Sequence, residues 1–307
     1  MLTTLATLVA VSLAFQSSEG QGQGQGRGQG VGDTTFAVQS GARLDVNNFG
    51  GEIVVKAWNQ NSVRVQATHS SRDRIDVQVG ASTVNVRAES QRGLAQMVEY
   101  QISAPTWMSL NLHGVSTDID VDGVQGAVTA ETVNGEVKCR GGSGQVSLRS
   151  VDGAVMLQNA KGHIDVYSVS EGLTLENVTG DISAETVSGD ISLEAIESAS
   201  VEVSTVSGDV TYDGSIKDGA HYRFATHNGD VSVGIPERTN VTVSVATFNG
   251  DFDSSFPVSV TNTTKHRFNF TLGSGSGRLE LETFNGDIRL RRPGQLHDKH
   301  HDHQEDK

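Results

Sequence analysis

Residues 126–135 read GAVTAETVNG, and residues 180–189 read GDISAETVSG. Each segment starts at a glycine, alternates apolar and polar residues, and closes with a Thr-Val-Asn/Ser-Gly turn. Apolar residues at every second position, bounded by Gly and Asn or Ser, are typical of a half-buried β-strand. The segment therefore predicts a strand that ends in a tight turn, and its recurrence predicts a repeat protein.

The glycines of this segment recur at a fixed interval. Nine residues separate each of Gly126, Gly135, Gly144, Gly153 and Gly162, and the same spacing returns between Gly180 and Gly189. Further along, the motif glycines are wider apart, at positions 208, 229 and 250. Two nine-residue units make a coil of two strands and two turns, and the wider copies keep one glycine turn per coil. We therefore predict an all-β fold: a single-stranded β-solenoid of stacked two-strand coils with an N-terminal β region. A three-sided coil is the alternative.

Each position of the turn has a predicted role. Gly supplies the positive φ that redirects the chain, and Asn or Ser bonds to the backbone. The Asp that follows accepts backbone N–H groups. Alternating aliphatic residues are predicted to point inward, as in Ile182, Val187, Ile191 and Leu193, with Thr, Ser, Glu and Asp between them facing water.

Two variations of the turn have structural interpretations. Stacked side-chain amides are predicted at one motif position, occupied by Asn134, Asn228, Asn249 and Asn285. Phe248 and Phe284 replace the motif valine. Pointing inward they would fill the core, and pointing outward they would form a binding stripe; the sequence favours the core.

The chain is predicted to contain five segments. Residues 1–15 form a signal peptide, because the apolar run is too short to span a bilayer as a helix; a buried N-terminal strand is the alternative. Residues 16–33 form a Gly/Gln-rich linker, which favours export over the buried strand. Residues 34–115 form an N-terminal β region that caps the solenoid, residues 116–290 form the repeats, and residues 291–307 form a disordered His/Asp-rich tail.

Charge and cysteine content exclude several classes of protein. The formal net charge of −14 argues against nucleic-acid binding, which needs clustered Lys and Arg. No apolar stretch after the signal is long enough for an integral membrane segment. Cys139 is the single cysteine, so no intramolecular disulfide can form, and its place on a predicted strand indicates a small buried hydrophobic residue.

The turn series at 132–136, 186–190 and 205–209, together with the block at 44–58, resembles the bacterial "putative adhesin" family of unknown function. The resemblance covers about residues 34–290. It implies an exported β-solenoid of the cell envelope with repeated T-V-N/S-G-D turns and an adhesive or scaffolding role. The family has no agreed catalytic residues, so none is assigned.

Two groups of residues are weak candidates for metal binding. Turn acids that could stack as Ca²⁺ ligands are Asp181, Asp190, Asp209, Asp230, Asp251 and Asp287, but one acid per turn favours solvated carboxylates. Imidazoles that could bind Zn²⁺, Ni²⁺ or Cu²⁺ lie in the tail, at His297, His300, His301 and His303. The sequence favours opportunistic binding there and predicts no metal site and no cofactor.

The function predicted is therefore a non-enzymatic, secreted or cell-envelope interaction protein that presents a repetitive β surface. Its expected location is periplasmic, cell-surface or secreted, and its partners would be a surface glycan, a cell-wall polymer or another envelope protein. One alternative is a carbohydrate-active β-helix enzyme, a polysaccharide lyase or hydrolase, which would need acids beside Arg or Lys on one lateral face. Residues considered for such a cluster are Lys138, Arg140, Arg149 and Lys161, with Glu131 and Glu136. An envelope-stress sensor module is the other alternative.

Overall fold

The computed structural model describes residues 11–14, 29–90, 93, 97–258, 262–264 and 266–294. Within these ranges the regular secondary structure is entirely β, with 25 strands joined in one continuous hydrogen-bonded sheet. The predicted all-β fold class is confirmed.

The N-terminal part combines antiparallel and parallel pairing. Its strands are β1 (Val11–Ala14), β2 (Gln29–Ala37), β3 (Arg43–Trp58), β4 (Ser62–Ser70), β5 (Asp73–Val79), β6 (Thr83–Ser90) and β7 (Val98–Pro105). β2 pairs with β4 and β1 with β5, all antiparallel, whereas β3 runs parallel to both β6 and β7. β1 lies within the segment predicted as a signal peptide, and β2 begins inside the predicted linker; export itself stays a prediction.

The middle of the chain is a regular stack of coils. Its strands are β8 (Ser109–Val124), β9 (Val128–Asn134), β10 (Val137–Gly141), β11 (Ser143–Asp152), β12 (Val155–Gln158), β13 (Lys161–Tyr167), β14 (Leu173–Glu176), β15 (Thr179–Glu185) and β16 (Ile191–Ser207). β9 pairs in parallel with β11, and β10 with β12, so each coil contributes one strand to each of two faces.

The register gives the length of a coil. Val128 lies opposite Val146, which lies opposite Ile164, which lies opposite Ile182. These partners are 18 residues apart along the chain, the length of two nine-residue units. The two-strand coil is therefore confirmed, and the three-sided alternative is wrong.

The C-terminal coils are not stacked in chain order. Their strands are β17 (Val210–Gly214), β18 (His221–Asn228), β19 (Val231–Gly234), β20 (Val241–Asn249), β21 (Phe252–Ser254), β22 (Asn262–Thr264), β23 (Arg267–Leu272), β24 (Gly277–Asn285) and β25 (Ile288–Arg291). The last coil, β24–β25, lies between the coils β18–β19 and β20–β21 and pairs in parallel with both. The last described strand along the chain, β25, thus lies inside the stack. β22 and β23 pair antiparallel beyond β20.

The core between the two faces is mostly aliphatic. Val, Ile, Leu and Ala from alternate positions of both faces form one buried cluster. Cys139 is buried within it, as predicted, and burial raises the pKa of its thiol to about 12. A thiol in this state is a packing group and not a nucleophile.

Two buried tyrosines differ in their hydrogen bonding, and this difference makes a prediction. The Tyr222 hydroxyl donates to the carbonyl of Ser198 (2.6 Å) and accepts from the amide of Lys217 (3.0 Å). The Tyr100 hydroxyl is buried without a partner among the described residues, and burial raises its pKa above the usual value. We expect Tyr222→Phe to cost about 1–3 kcal/mol of stability, because it leaves the buried carbonyl of Ser198 and the amide of Lys217 without their partner.

Tyr100→Phe is the matched comparison. It removes a buried polar group that makes no hydrogen bond, so we expect a stability equal to or above that of the wild type. Urea unfolding of the two variants measures both effects. A Tyr100→Phe protein that lost as much stability as Tyr222→Phe would contradict the assignment.

Candidate interaction surface

The Thr or Ser that begins each turn motif points inward. Each hydroxyl donates to a turn carbonyl of the neighbouring coil at 2.8–3.3 Å, as Thr226 does to Gly208. The residues that do so are Thr132, Ser150, Ser168, Thr186, Thr205, Thr226, Thr247 and Thr283. Because side chains alternate along a strand, the next residue of the motif must point outward.

The motif glycines stack on one another's backbones. Gly229 has φ 150°, and a Cβ on it would collide with the carbonyl oxygen of Gly208. Gly286 stands in the same relation to Gly229, and Gly250 to Gly286. The coils approach so closely at this edge that only glycine fits.

The turn aspartates are acceptors, as predicted. The Oδ1 atom of each accepts the backbone N–H of the residue at the corresponding position in the next coil, at 2.8–3.0 Å. The acceptors form a single line along the solenoid, here called the acid row: Asp118, Asp190, Asp209, Asp230 and Asp287, with Asp251 in the last coil. Arg289 joins Asp230 and Asp287 through their Oδ2 atoms, at 2.8 and 2.9 Å.

An apolar ridge runs along the same edge. It consists of the second motif residue of ten successive coils, in spatial order Phe49, Val115, Val133, Val151, Val169, Val187, Val206, His227, Phe284 and Phe248. Eight of the ridge residues, all Val or Phe, are between 38 and 52 % exposed. At about 4.8 Å per coil, the ridge is about 43 Å long.

The ridge overturns two predictions. Val187 was expected to point inward, but it is 38 % exposed because Thr186 occupies the inward position. Phe248 and Phe284 were expected in the core, but they are 52 and 42 % exposed. They form the outward stripe that the sequence left as the less favoured alternative.

One end of the ridge is a stack of aromatic rings. His227 stacks on Phe284 (centroids 4.9 Å apart), Phe284 on Phe248 (4.9 Å), and Phe248 on His266 (4.7 Å). The Phe rings are nearly parallel, at 4°. Since the ring faces cover one another, the stack turns its ring edges to solvent. The two histidines were missed in the sequence, where His227 is visible only as the residue at the valine position.

A shallow cleft adjoins the other end of the ridge. Its volume is about 340 Å³. Ridge residues Phe49 and Val115 form part of its wall together with Asn47, Arg87 and His113. His113 lies 3.6 Å from Glu131, and Arg87 pairs with Asp76 and Glu89.

The predicted candidate residues are only partly brought together. Asp181 opens β15 at the opposite edge and is not in the acid row. Asn228, Asn285 and Asn249 form the predicted amide ladder at 2.7 and 2.8 Å, whereas Asn134 lies opposite Ser116 and Asp152. In the part of the chain that the structure describes, no three His, Cys, Asp or Glu side chains are placed to hold a metal ion. His297, His300, His301 and His303 lie outside the described residues.

The basic residues considered for a catalytic cluster are dispersed. Arg149 is on one face and pairs with Asp165 (2.7 Å), while Arg140 is on the other and pairs with Asp122 (3.1 Å). Lys138 pairs with Glu136. All three are exposed ion pairs; the pairs of Arg149 and Arg140 join neighbouring strands, and that of Lys138 joins residues two positions apart.

Comparison with known proteins identifies a family for this chain. The family model described as Toastrack DUF4097 matches residues 42–291. No curated protein matches the chain. No helix in the described part of the chain has the length and apolar composition needed to cross a membrane.

Similar solved structures share little sequence with this chain. A "putative adhesin" from Bacteroides fragilis is 13 % identical, with 85 % of this chain and 96 % of that one covered and a TM-score of 0.36. One from Parabacteroides merdae is 7 % identical, with 85 and 95 % covered and a TM-score of 0.35. A "putative cell adhesion protein" from Clostridium sporogenes is 13 % identical, with 85 and 99 % covered and a TM-score of 0.23.

Proposed function

The chain belongs to the Toastrack DUF4097 family, and from that premise we propose that it is an exported, non-enzymatic, adhesin-like scaffold whose apolar ridge binds a partner at the cell surface or in the envelope. The signal peptide at 1–15 would direct export, and the region 34–115 would cap the solenoid. The position of β2, β4 and β5 beyond the parallel coils supports the cap.

The observation that carries the proposal is the ridge itself. Eight side chains exposed by 38–52 % in one line present roughly 600 Å² of apolar surface. The largest apolar patch of a typical monomer is about 300–600 Å², and patches at or above that size mark interaction sites. A protein with ten outward positions in register, nine of them Val or Phe, therefore presents a surface suited to binding.

The backbone beneath the ridge supports this role. Seven of the ten ridge residues follow a Thr or Ser bonded to the neighbouring coil and precede, by two positions, a glycine packed against it. These bonds hold successive ridge side chains at a fixed spacing. A surface that is already ordered loses little conformational entropy on binding, which favours recognition of an extended, repetitive partner.

The proposal predicts that making the ridge polar weakens binding. In the variant Val133→Thr/Val187→Thr/Val206→Thr the shape and the β-propensity are kept while three apolar groups are lost. We expect binding of the full chain to isolated envelope and cell-wall fractions to fall at least about tenfold, or 1.4 kcal/mol, as three partly buried methyl groups are replaced by hydroxyls.

The control variant changes as many residues on the flat faces of the same coils. Ser147→Thr/Ser183→Thr/Ser192→Thr alters outward positions away from the ridge. It should bind like the wild type. If both variants bind equally well, the ridge is not the binding face; if polymer breakdown products appear in the assay, the non-enzymatic assignment is wrong.

A further inference from the structure

The ridge is accompanied by two polar rows that repeat with the same period. The residue after every ridge residue except Phe49 is Asn, Ser or Asp, and most of these residues are exposed, as at Ser188, Ser207 and Asn228. The residue of the acid row lies two positions further along the chain, as Asp190 does after Ser188. The coils of Val187 and Val206 thus each present one apolar group, then one hydroxyl, then one carboxylate, whereas the coils of Val151 and Val169 have Ala154 and Gly172 at the carboxylate position. Neighbouring coils are about 4.8 Å apart.

The charge along the acid row is uneven. Arg289 neutralises Asp230 and Asp287. Asp190 and Asp209 each use Oδ1 to accept a backbone N–H at 2.8 Å, and neither forms an ion pair with any residue that the structure describes. Two uncompensated carboxylates therefore lie on neighbouring coils beside Val187 and Val206.

We propose that this edge binds an extended β-linked polymer of amino sugars with free amines, which runs parallel to the solenoid axis. The inference rests on the proposed function in taking the ridge as the binding face. The apolar C–H groups of the sugar rings would lie against the ridge, and the ring hydroxyls would bond the Asn and Ser row. The ammonium group of a ring that faces the protein would pair with Asp190 or Asp209, according to which of the two coils that ring meets.

The period of the site favours this polymer over a peptide. An extended peptide presents side chains to one side every 6.6–6.8 Å, about twice its rise per residue, and so loses phase with coils about 4.8 Å apart. In a β-1,4-linked sugar chain each ring advances by close to one coil, and alternate rings present the same side. Such a chain stays in phase with every second coil.

Charge excludes two other occupants. A polyanionic glycan would meet the acid row of a protein whose formal net charge is −14. A second copy of this chain, packed ridge to ridge, would bring further carboxylates to this edge: the acid row on one side of the ridge and Glu185 on the other, where Glu282 is paired with Arg223 and Glu131 lies beside His113. Like charges juxtaposed at an interface oppose association.

The test is calorimetric titration of the full chain with a long β-1,4-linked glucosamine oligomer at mildly acidic pH, where the amines are protonated. We expect measurable binding that weakens about tenfold in Asp190→Asn/Asp209→Asn, because asparagine keeps the acceptor oxygen and removes the charge. The control Glu194→Gln/Glu197→Gln removes the same charge away from the ridge and should bind like the wild type. The fully N-acetylated oligomer should bind more weakly than the free amine.

Three outcomes would overturn the inference. One is no binding of the oligomer to the wild type, and another is an equal loss in both charge variants. The third is equally strong binding of an oligolysine of matched charge, because the acid row would then bind polycations without selecting an amino sugar. If the oligomer fails while envelope fractions still bind through the valine positions of the ridge, the inference fails and the proposed function stands.

Discussion

Replacing Gly229 by alanine is expected to lower the free energy of unfolding by at least about 3 kcal/mol, close to the upper range for single substitutions. The new Cβ would collide with the carbonyl oxygen of Gly208 in the neighbouring coil. That atom is part of a backbone and cannot turn away as a side chain would. The two coils must separate, and their separation strains the 2.9 Å hydrogen bond from Thr226 to Gly208.

The effect extends beyond one pair of coils. Gly286 packs against the carbonyl of Gly229 from the other side, and Thr283 donates to that carbonyl at 2.9 Å. A shift of residue 229 therefore disturbs the coil on each side. Urea unfolding monitored by circular dichroism measures the loss.

The control for this substitution is Gly144→Ala. Gly144 also has positive φ, at 83°, but a Cβ there would meet no atom within 4 Å. Alanine at this position carries only the left-handed backbone cost of about 1–2 kcal/mol. If both variants lost the same stability, backbone strain alone would explain the glycine, and close packing of the coils would not.

Much of the fold was predictable because it is local and repeated. The nine-residue glycine spacing gives the two-strand coil, and 18-residue registers between Val128, Val146 and Ile164 confirm it. The acceptor role of the turn aspartates also followed from local chemistry. These features depend only on residues within one coil and its copy in the next.

The direction of the ridge was predictable but was assigned wrongly. Counting in steps of two from the buried Ile182 places Ala184 and Thr186 inward and Val187 outward. The hydrophobicity of Val187 favours an inward orientation, whereas the alternation places it outward. A buried hydroxyl looked unfavourable in the sequence because its partner, the carbonyl of Glu171, is in another coil and 15 residues away.

The order of the last coils could not be read from the sequence. Repeat spacing predicts that coils stack but not which copy lies beside which. Phe284 stacks on both Phe248 and His227 only because β24 lies between β20 and β18. The aromatic end of the ridge therefore follows from tertiary pairing between residues as many as 57 positions apart.

Arg291 is expected to hold this inserted coil in place, and Arg291→Ala should cost about 3–5 kcal/mol, the range for breaking a buried ion pair. Its side chain is 8 % exposed and makes two bonds of 2.9 Å to the carboxylate of Asp213, with a third of 2.9 Å from Nε to Ser232. β19 lies between β25 and β17, so the guanidinium reaches past one strand to the next. Gly234 makes this reach possible, because a Cβ there would collide with Asp213.

The alanine variant leaves the Asp213 carboxylate, 18 % exposed, without its cation. Removing the carboxylate as well, in Arg291→Ala/Asp213→Ala, should recover part of the loss, because an unpaired buried charge costs more than no charge. The control is Arg292→Ala, which removes the exposed pair with Glu237 (2.7 Å) and the contact of the guanidinium with the Phe256 ring (5.7 Å to its centroid). Each of these exposed contacts is worth about 1 kcal/mol or less. Thermal and urea unfolding of the three proteins measure the differences. If Arg291→Ala matched Arg292→Ala, the ion pair would contribute nothing beyond a surface contact, and the inserted coil would be held by its core packing and strand pairing alone.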